Sequence, residues 1–145
     1  MRAIAVVSLV AALGSFAPDQ PKDKPKADLD LVQEVGDLSG YYAVKGQETG
    51  GKSYSGVATV HKRNEVYIVS LSIGSGSQFT GIGVRQGNTL SVGWALPTDK
   101  GVVMGVNVYK VVPGKALQGR WAAIPGNGQL QNETMAFLKA MDEDE

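Results

Sequence analysis

The chain has 145 residues, enough for one domain, and its fourteen Lys and Arg balance fourteen Asp and Glu. The resulting zero net charge gives no global field that advertises nucleic acid or a membrane surface as partner. There is no cysteine, which excludes disulfides, a thiol nucleophile and a cysteine-borne lipid anchor, and the single histidine, His61, excludes a multi-histidine metal site.

Met1 and Arg2 give a short positive start, Ala3 to Ala12 is apolar apart from Ser8, and Leu13 to Ala17 is rich in small residues. This is the pattern of a secretory signal over residues 1–17, and cuts after Gly14 and after Ala17 both satisfy it. The apolar run is shorter than the ~20 residues a membrane span needs. The expected location is therefore secreted or periplasmic. Residues 18–37 follow as a Pro- and Lys-rich linker and lead-in. Pro18, Pro21 and Pro25 favour an extended, hydrated spacer, and Leu29, Val32 and Val35 have the spacing of a short helix that Gly36 and Ser39-Gly40 would stop.

From Gly40 onward the texture changes to short β-type runs separated by turn residues. Eight strands are expected, over 40–46, 53–62, 65–73, 78–85, 89–96, 102–112, 115–123 and 129–136. Tight connections such as Gln86-Gly87-Asn88 and Pro113-Gly114 join antiparallel neighbours and leave no room for a parallel crossover. Tyr67, Val69, Leu71 and Ile73 share one face of the third run, Leu90, Val92, Trp94 and Leu96 one face of the fifth, and Leu117, Gly119 and Trp121 one face of the seventh. Period two with one large apolar face marks a sheet covering a core.

An open meander of this length would leave two edges free to pair with other chains, and closure removes them. The expected fold is all-β, a small antiparallel up-and-down barrel of about eight strands over residues 38–136, with a two-sheet β-sandwich as the alternative. Gly81, Gly83 and Gly119 are expected to serve the sharp bending of a small barrel. Residues 137–145 read as an acidic C-terminal tail. The sixth run is apolar on both faces, so its outward stripe asks for cover. The candidates are residues 28–38, the Met135, Phe137 and Leu138 stretch, or another copy of the chain through the 102–111 strand.

Catalytic constellations are thin. His61 reads as a rim or surface residue, and a general base is the sharper alternative. Gly50-Gly51-Lys52-Ser53 lacks the spacing and the following helix of a phosphate loop. Glu48, Glu65 and Asp99 fall in or beside turns and Glu133 in the last run, with no spacing that predicts paired-carboxylate hydrolysis or a calcium loop. Tyr42, Tyr54, Tyr67, Trp94, Tyr109 and Trp121 are the candidate lining of a cup, flat apolar walls with polar tips, unless they simply fill the barrel. Arg120, next to Trp121 but on the other strand face, is expected to cover a neighbouring aromatic or reach a turn carbonyl.

GYYAVKG at 40–46, GKSYSG at 51–56, TGIGV at 80–84, LSVGW at 90–94, VYKV at 108–111 and LQGRW at 117–121 resemble, in this order, a family of small exported bacterial proteins. Its members are mostly uncharacterised and some carry the label fibronectin-binding protein. The closing GQLQNET is similar to that family's glycine-rich last strand, with Glu133-Thr134 in place of Thr-Glu. In general appearance the chain is also similar to calycin-type barrels such as lipocalins and avidins, without the lipocalin Gly-x-Trp in the first strand. The resulting expectation is an exported, non-enzymatic binding barrel with an unknown small ligand, no cofactor, no metal and no nucleic-acid partner. The alternatives are an adhesion or envelope protein that contacts an extracellular macromolecule such as fibronectin through its outer surface, and a hydrolase using His61 or Glu133.

Overall fold

The computed structural model describes residues 35–74 and 76–142. The expected signal segment 1–17, nearly all of the linker and the last three acidic residues lie outside the described residues. Eight strands follow one another: β1 (Gly40–Gln47), β2 (Ser53–Arg63), β3 (Val66–Ile73), β4 (Ser77–Gln86), β5 (Thr89–Thr98), β6 (Gly101–Val112), β7 (Ala116–Ile124) and β8 (Gln131–Lys139). Each pairs antiparallel with the next, and β8 pairs with β1, closing an up-and-down barrel. Closure in this order rules out the two-sheet alternative. All eight expected strands are present.

Alternation decides the rest. Residues of one parity on each strand enter the core, among them Tyr42 and Val44, Ala58 and Val60, Tyr67 and Val69, Leu90 and Val92, Tyr109 and Val111, Leu117, and Met135. Each large side chain so buried contributes ~1.5–3 kcal/mol, which is how a domain without disulfides stays folded. One barrel end is closed by the residues before β1. Leu38 is wholly buried and Val35 nearly so, both within the core cluster. The Tyr42 hydroxyl donates to the Leu38 carbonyl at 2.7 Å. Arg85 donates from Nε to Gly87 O at 3.0 Å and from its guanidinium to Gly36 O. A side chain on β4 thus ties both a turn and the plug.

Three expectations change. Strand β8 continues through Lys139, beyond the boundary placed at residue 136, because Phe137 turns inward and meets the Tyr42 ring edge-on at 5.5 Å. The outward stripe of β6 is not covered by Val35, Leu38 or Phe137, all of which pack on the core instead, and Leu138 is itself exposed. Ile82, Val84, Val102, Met104, Val106 and Val108 remain between 47% and 59% exposed among the described residues. Arg120 stands on the wet face, exposed, with no hydrogen bond or ring contact among the described residues. The turn-carbonyl role expected of it belongs to Arg85, which has the inward parity on β4 that Arg120 lacks on β7.

Candidate functional site

Antiparallel order puts the ends of β1, β3, β5 and β7 and the starts of β2, β4, β6 and β8 at the end opposite the plug. There the barrel is hollow. A cavity of about 190 Å³ lies among Tyr54, Phe79, Trp94, Tyr109, Trp121 and Glu133, with Val69, Leu71 and Val92 completing its apolar wall and Glu48 and Ser77 also lining it. Four of the six aromatics expected to line a cup do so: Tyr54, Trp94, Tyr109 and Trp121. Tyr42 and Tyr67 face inward but sit in the packed half as core. The tryptophans are half-buried because they wall an open space. Trp94 meets Phe79 edge-on at 5.0 Å and Trp121 at a tilt, 6.4 Å away.

A polar cluster occupies one wall. Glu133 on β8 is only 2% exposed, and the hydroxyls of Tyr54 and Tyr109 both donate to it, one to each carboxylate oxygen. Asn107 Nδ2 donates to Glu133 Oε1 at 2.8 Å and to the Tyr109 oxygen at 2.7 Å. Trp94 Nε1 donates to Asn107 Oδ1 at 2.7 Å. An indole can only donate, so it fixes the amide with its NH₂ toward Glu133.

Register explains how two tyrosines reach one carboxylate. Glu133 pairs with Gly46 on one side and Gly119 on the other. Gly46 pairs in turn with Tyr54, and Gly119 with Tyr109. Each ring lies across a glycine, in the space where a Cβ on that glycine would stand. The row Tyr54, Gly46, Glu133, Gly119, Tyr109 is therefore a carboxylate between two gaps, each bridged by a phenol. Gly119 thus serves a close approach, where a bend was expected. Gly81 is also crowded, by the Gly93 carbonyl and Val92, and Gly83 by Leu90.

Burial pushes the Glu133 carboxyl above its ordinary range, and the hydrogen bonds from Tyr109, Tyr54 and Asn107 pull it only part of the way back. Burial, and then the facing Glu133 charge, hold Tyr54 and Tyr109 far above the usual phenol range. Both therefore keep their protons and act as donors. His61 has the outward parity on β2, opposite Ile68, so the wall separates it from Glu133 and the two are not brought together. Among the described residues no group of three or more metal-ligating side chains converges.

Asn107 was not legible as a site residue. The signal available was parity alone, a polar residue on the face of β6 that otherwise carries Tyr109 and Val111.

No protein-family model and no curated protein matches this chain. The likeness to exported bacterial proteins therefore stands on its short motifs. Among solved structures the chain is similar to redesigned β barrels. One, b11L5F_LGL, superposes with a TM-score of 0.57 at 14% identity, over 70% of this chain and 92% of that one. Another, mFAP1 bound to DFHBI, gives 0.51 at 16% identity, over 75% of this chain and 98% of that one. Identities this low show a shared fold, the small closed β barrel.

Proposed function

We propose that this chain is an exported, non-enzymatic barrel that takes one small organic molecule into the cup at its open end. The observation that carries the reading is the cavity of about 190 Å³, walled by both tryptophans and two tyrosines. Engineered apolar cavities of ~150 Å³ bind benzene, so this one suits a single ring with a short substituent. A barrel of the same fold, mFAP1, holds the small molecule DFHBI. The binding reading is favoured over the hydrolase because His61 faces away from the cup and the Glu133 carboxylate is already engaged by Tyr54, Tyr109 and Asn107.

Both tryptophans of the chain line the cup, so indole emission reports on it directly. Titration with single-ring compounds, neutral and cationic, should give a saturable change in emission. A flat response to the whole series up to ~1 mM, about 4 kcal/mol of binding, would overturn the reading. Export rests on the residue 1–17 pattern. Expression in a secreting bacterium should yield a mature chain that starts at Ser15 or Pro18 by mass spectrometry, and a full-length cytosolic product would remove that part.

A second reading has its own observation. The exposed stripe is continuous in register, Ile82 beside Gly93 beside Val106, with Val108 one step along β6. Monomers seldom leave such a patch bare, and contact with an extracellular macromolecule through this wall is the alternative function. Binding to immobilised fibronectin that disappears in an Ile82→Lys/Val106→Lys protein would support it, and absence of binding at micromolar concentration would remove fibronectin.

A further inference from the structure

The lining of the cup contains two carboxylates, Glu48 and Glu133, and no Lys, Arg or His. An anionic guest would enter against both charges without a compensating cation. Glu133 is nine-tenths and more buried, and among the described residues no basic side chain pairs with it. Its partners are written for the ionised form. Two phenols and an amide NH₂ all donate to it, and the amide is held that way by the Trp94 indole. An ionised carboxylate offers about four acceptor positions. Oε1 takes the donors of Tyr109 and Asn107, while Oε2 takes only Tyr54 and keeps a lone pair free. Burial still outweighs these donors, since the carboxyl remains above its ordinary range. The site is thus a buried acceptor short of positive charge, beside Tyr54, Trp94 and Trp121, whose π faces attract cations.

Resting on the small-ligand reading above, we infer that the guest is a compact primary ammonium with an apolar, single-ring body. Its N–H donates to Glu133 Oε2 while its body packs among Tyr54, Trp94 and Trp121. A neutral guest of the same shape fills the same volume but leaves the carboxylate uncompensated. A metal ion would find too few ligands among the described residues.

Benzylammonium and benzyl alcohol have nearly the same size and differ in charge, so titrating both at neutral pH against tryptophan emission separates the two ideas. Benzylammonium should bind more tightly by ~10-fold or more, the scale of a desolvated cation–π contact with a charge-assisted hydrogen bond. In the Glu133→Gln protein that preference should vanish, the ratio of the two affinities falling to about one. Benzylammonium affinity should also fall on acidification as proton and ammonium compete for one carboxylate, and benzyl alcohol should not respond. Glu133 faces Tyr54 from β2 and Tyr109 from β6, both protonated throughout, and only glycines from β1 and β7. Glu48 at the rim is the other carboxylate of the lining, and the fall should persist in a Glu48→Gln protein.

Equal binding of the two probes to the wild-type chain overturns the ammonium and leaves the small-ligand reading standing. Saturable binding of neither overturns both. A preference that survives Glu133→Gln also overturns the assignment. If that variant fails to fold by circular dichroism, the wild-type pair and its pH dependence decide.

Discussion

Tyr109 and Gly119 face each other directly across β6 and β7, and the tyrosine ring lies where a side chain on the glycine would project. The same arrangement recurs between Tyr54 and Gly46 on the other side of Glu133. The two pairs differ in how they would respond to a methyl group. At Gly46 the added Cβ meets only the far end of the Tyr54 ring, which can swing away. At Gly119 it also meets the Val108 carbonyl and the Tyr109 Cα, at 3.0 Å from the latter, and the backbone cannot yield as a side chain does.

Gly119→Ala should therefore cost about 1–3 kcal/mol of stability, as overpacking does, and Gly46→Ala distinctly less. Gly93→Ala, at an outward position with nothing within 4 Å, should be neutral or slightly stabilising. Urea denaturation of the three proteins checks the order, and a Gly93→Ala loss as large as that at Gly119 would contradict the crowding argument.

The barrel was readable because its signals are local. Alternation in β3, β5 and β7 and the tight turns at Gly87-Asn88 and Pro113-Gly114 fix strand number and antiparallel order within windows of about ten residues. The polar wall was not readable in that way. Tyr54 and Glu133 are separated by 79 positions, and only the closing β1–β8 register puts them at one height in the barrel. A slip of one residue in that register would turn Glu133 outward. The aromatic cup was half legible. All six rings face inward, but alternation does not say which end of the barrel the lead-in plugs, and that plug buries Tyr42 and Tyr67 in the solid half.

The plug itself is the next test. Leu38 is fully buried although it precedes the first strand, and its carbonyl takes the Tyr42 hydroxyl. Leu38→Ala should cost about 2–5 kcal/mol, the range for a deleted buried leucine. Tyr42→Phe removes only the hydrogen bond and should cost about 0.5–1.5 kcal/mol. Thermal unfolding of both should keep that ranking. A Leu38→Ala protein as stable as wild type would mean the end of the barrel closes without this residue.

Removing the Glu133 carboxylate strips three donors of their acceptor at once. Glu133→Ala leaves the Tyr54 and Tyr109 hydroxyls and the Asn107 amide facing a space that opens to the cup. Each unsatisfied buried group costs about 1–3 kcal/mol, reduced where water can follow. The Glu133→Ala protein should lose about 1–3 kcal/mol in all, because the hollow side rehydrates part of the network. Asn107→Ala, which also releases the Trp94 indole, should in addition shift tryptophan emission. Unchanged emission in that protein would mean the indole is not held by Asn107.

The raised Glu133 carboxyl fixes the sign of one pH effect. Below the ordinary glutamate value, ~4.3, the carboxyl is neutral in the folded and unfolded chain alike and folding gains in full from burying an uncharged group. As pH rises the unfolded chain ionises first while the folded chain still holds its proton, so Glu133's contribution to stability falls until pH passes the folded value. Asp37 runs the other way. Burial pushes it up, but hydrogen bonds from the Ser39 N–H and hydroxyl, with Lys62 and Lys115 nearby, outweigh burial and hold it low. Its contribution is lost on acidification. The Glu133→Gln protein keeps Asp37 and lacks the titrating glutamate, so the difference in unfolding free energy between wild type and variant isolates Glu133. That difference should decline as pH increases from ~4.3 and level off once the folded carboxyl has ionised. A difference that stays flat, or that climbs over this range, would mean that the phenols and the amide overcome burial and keep Glu133 at or below its ordinary value.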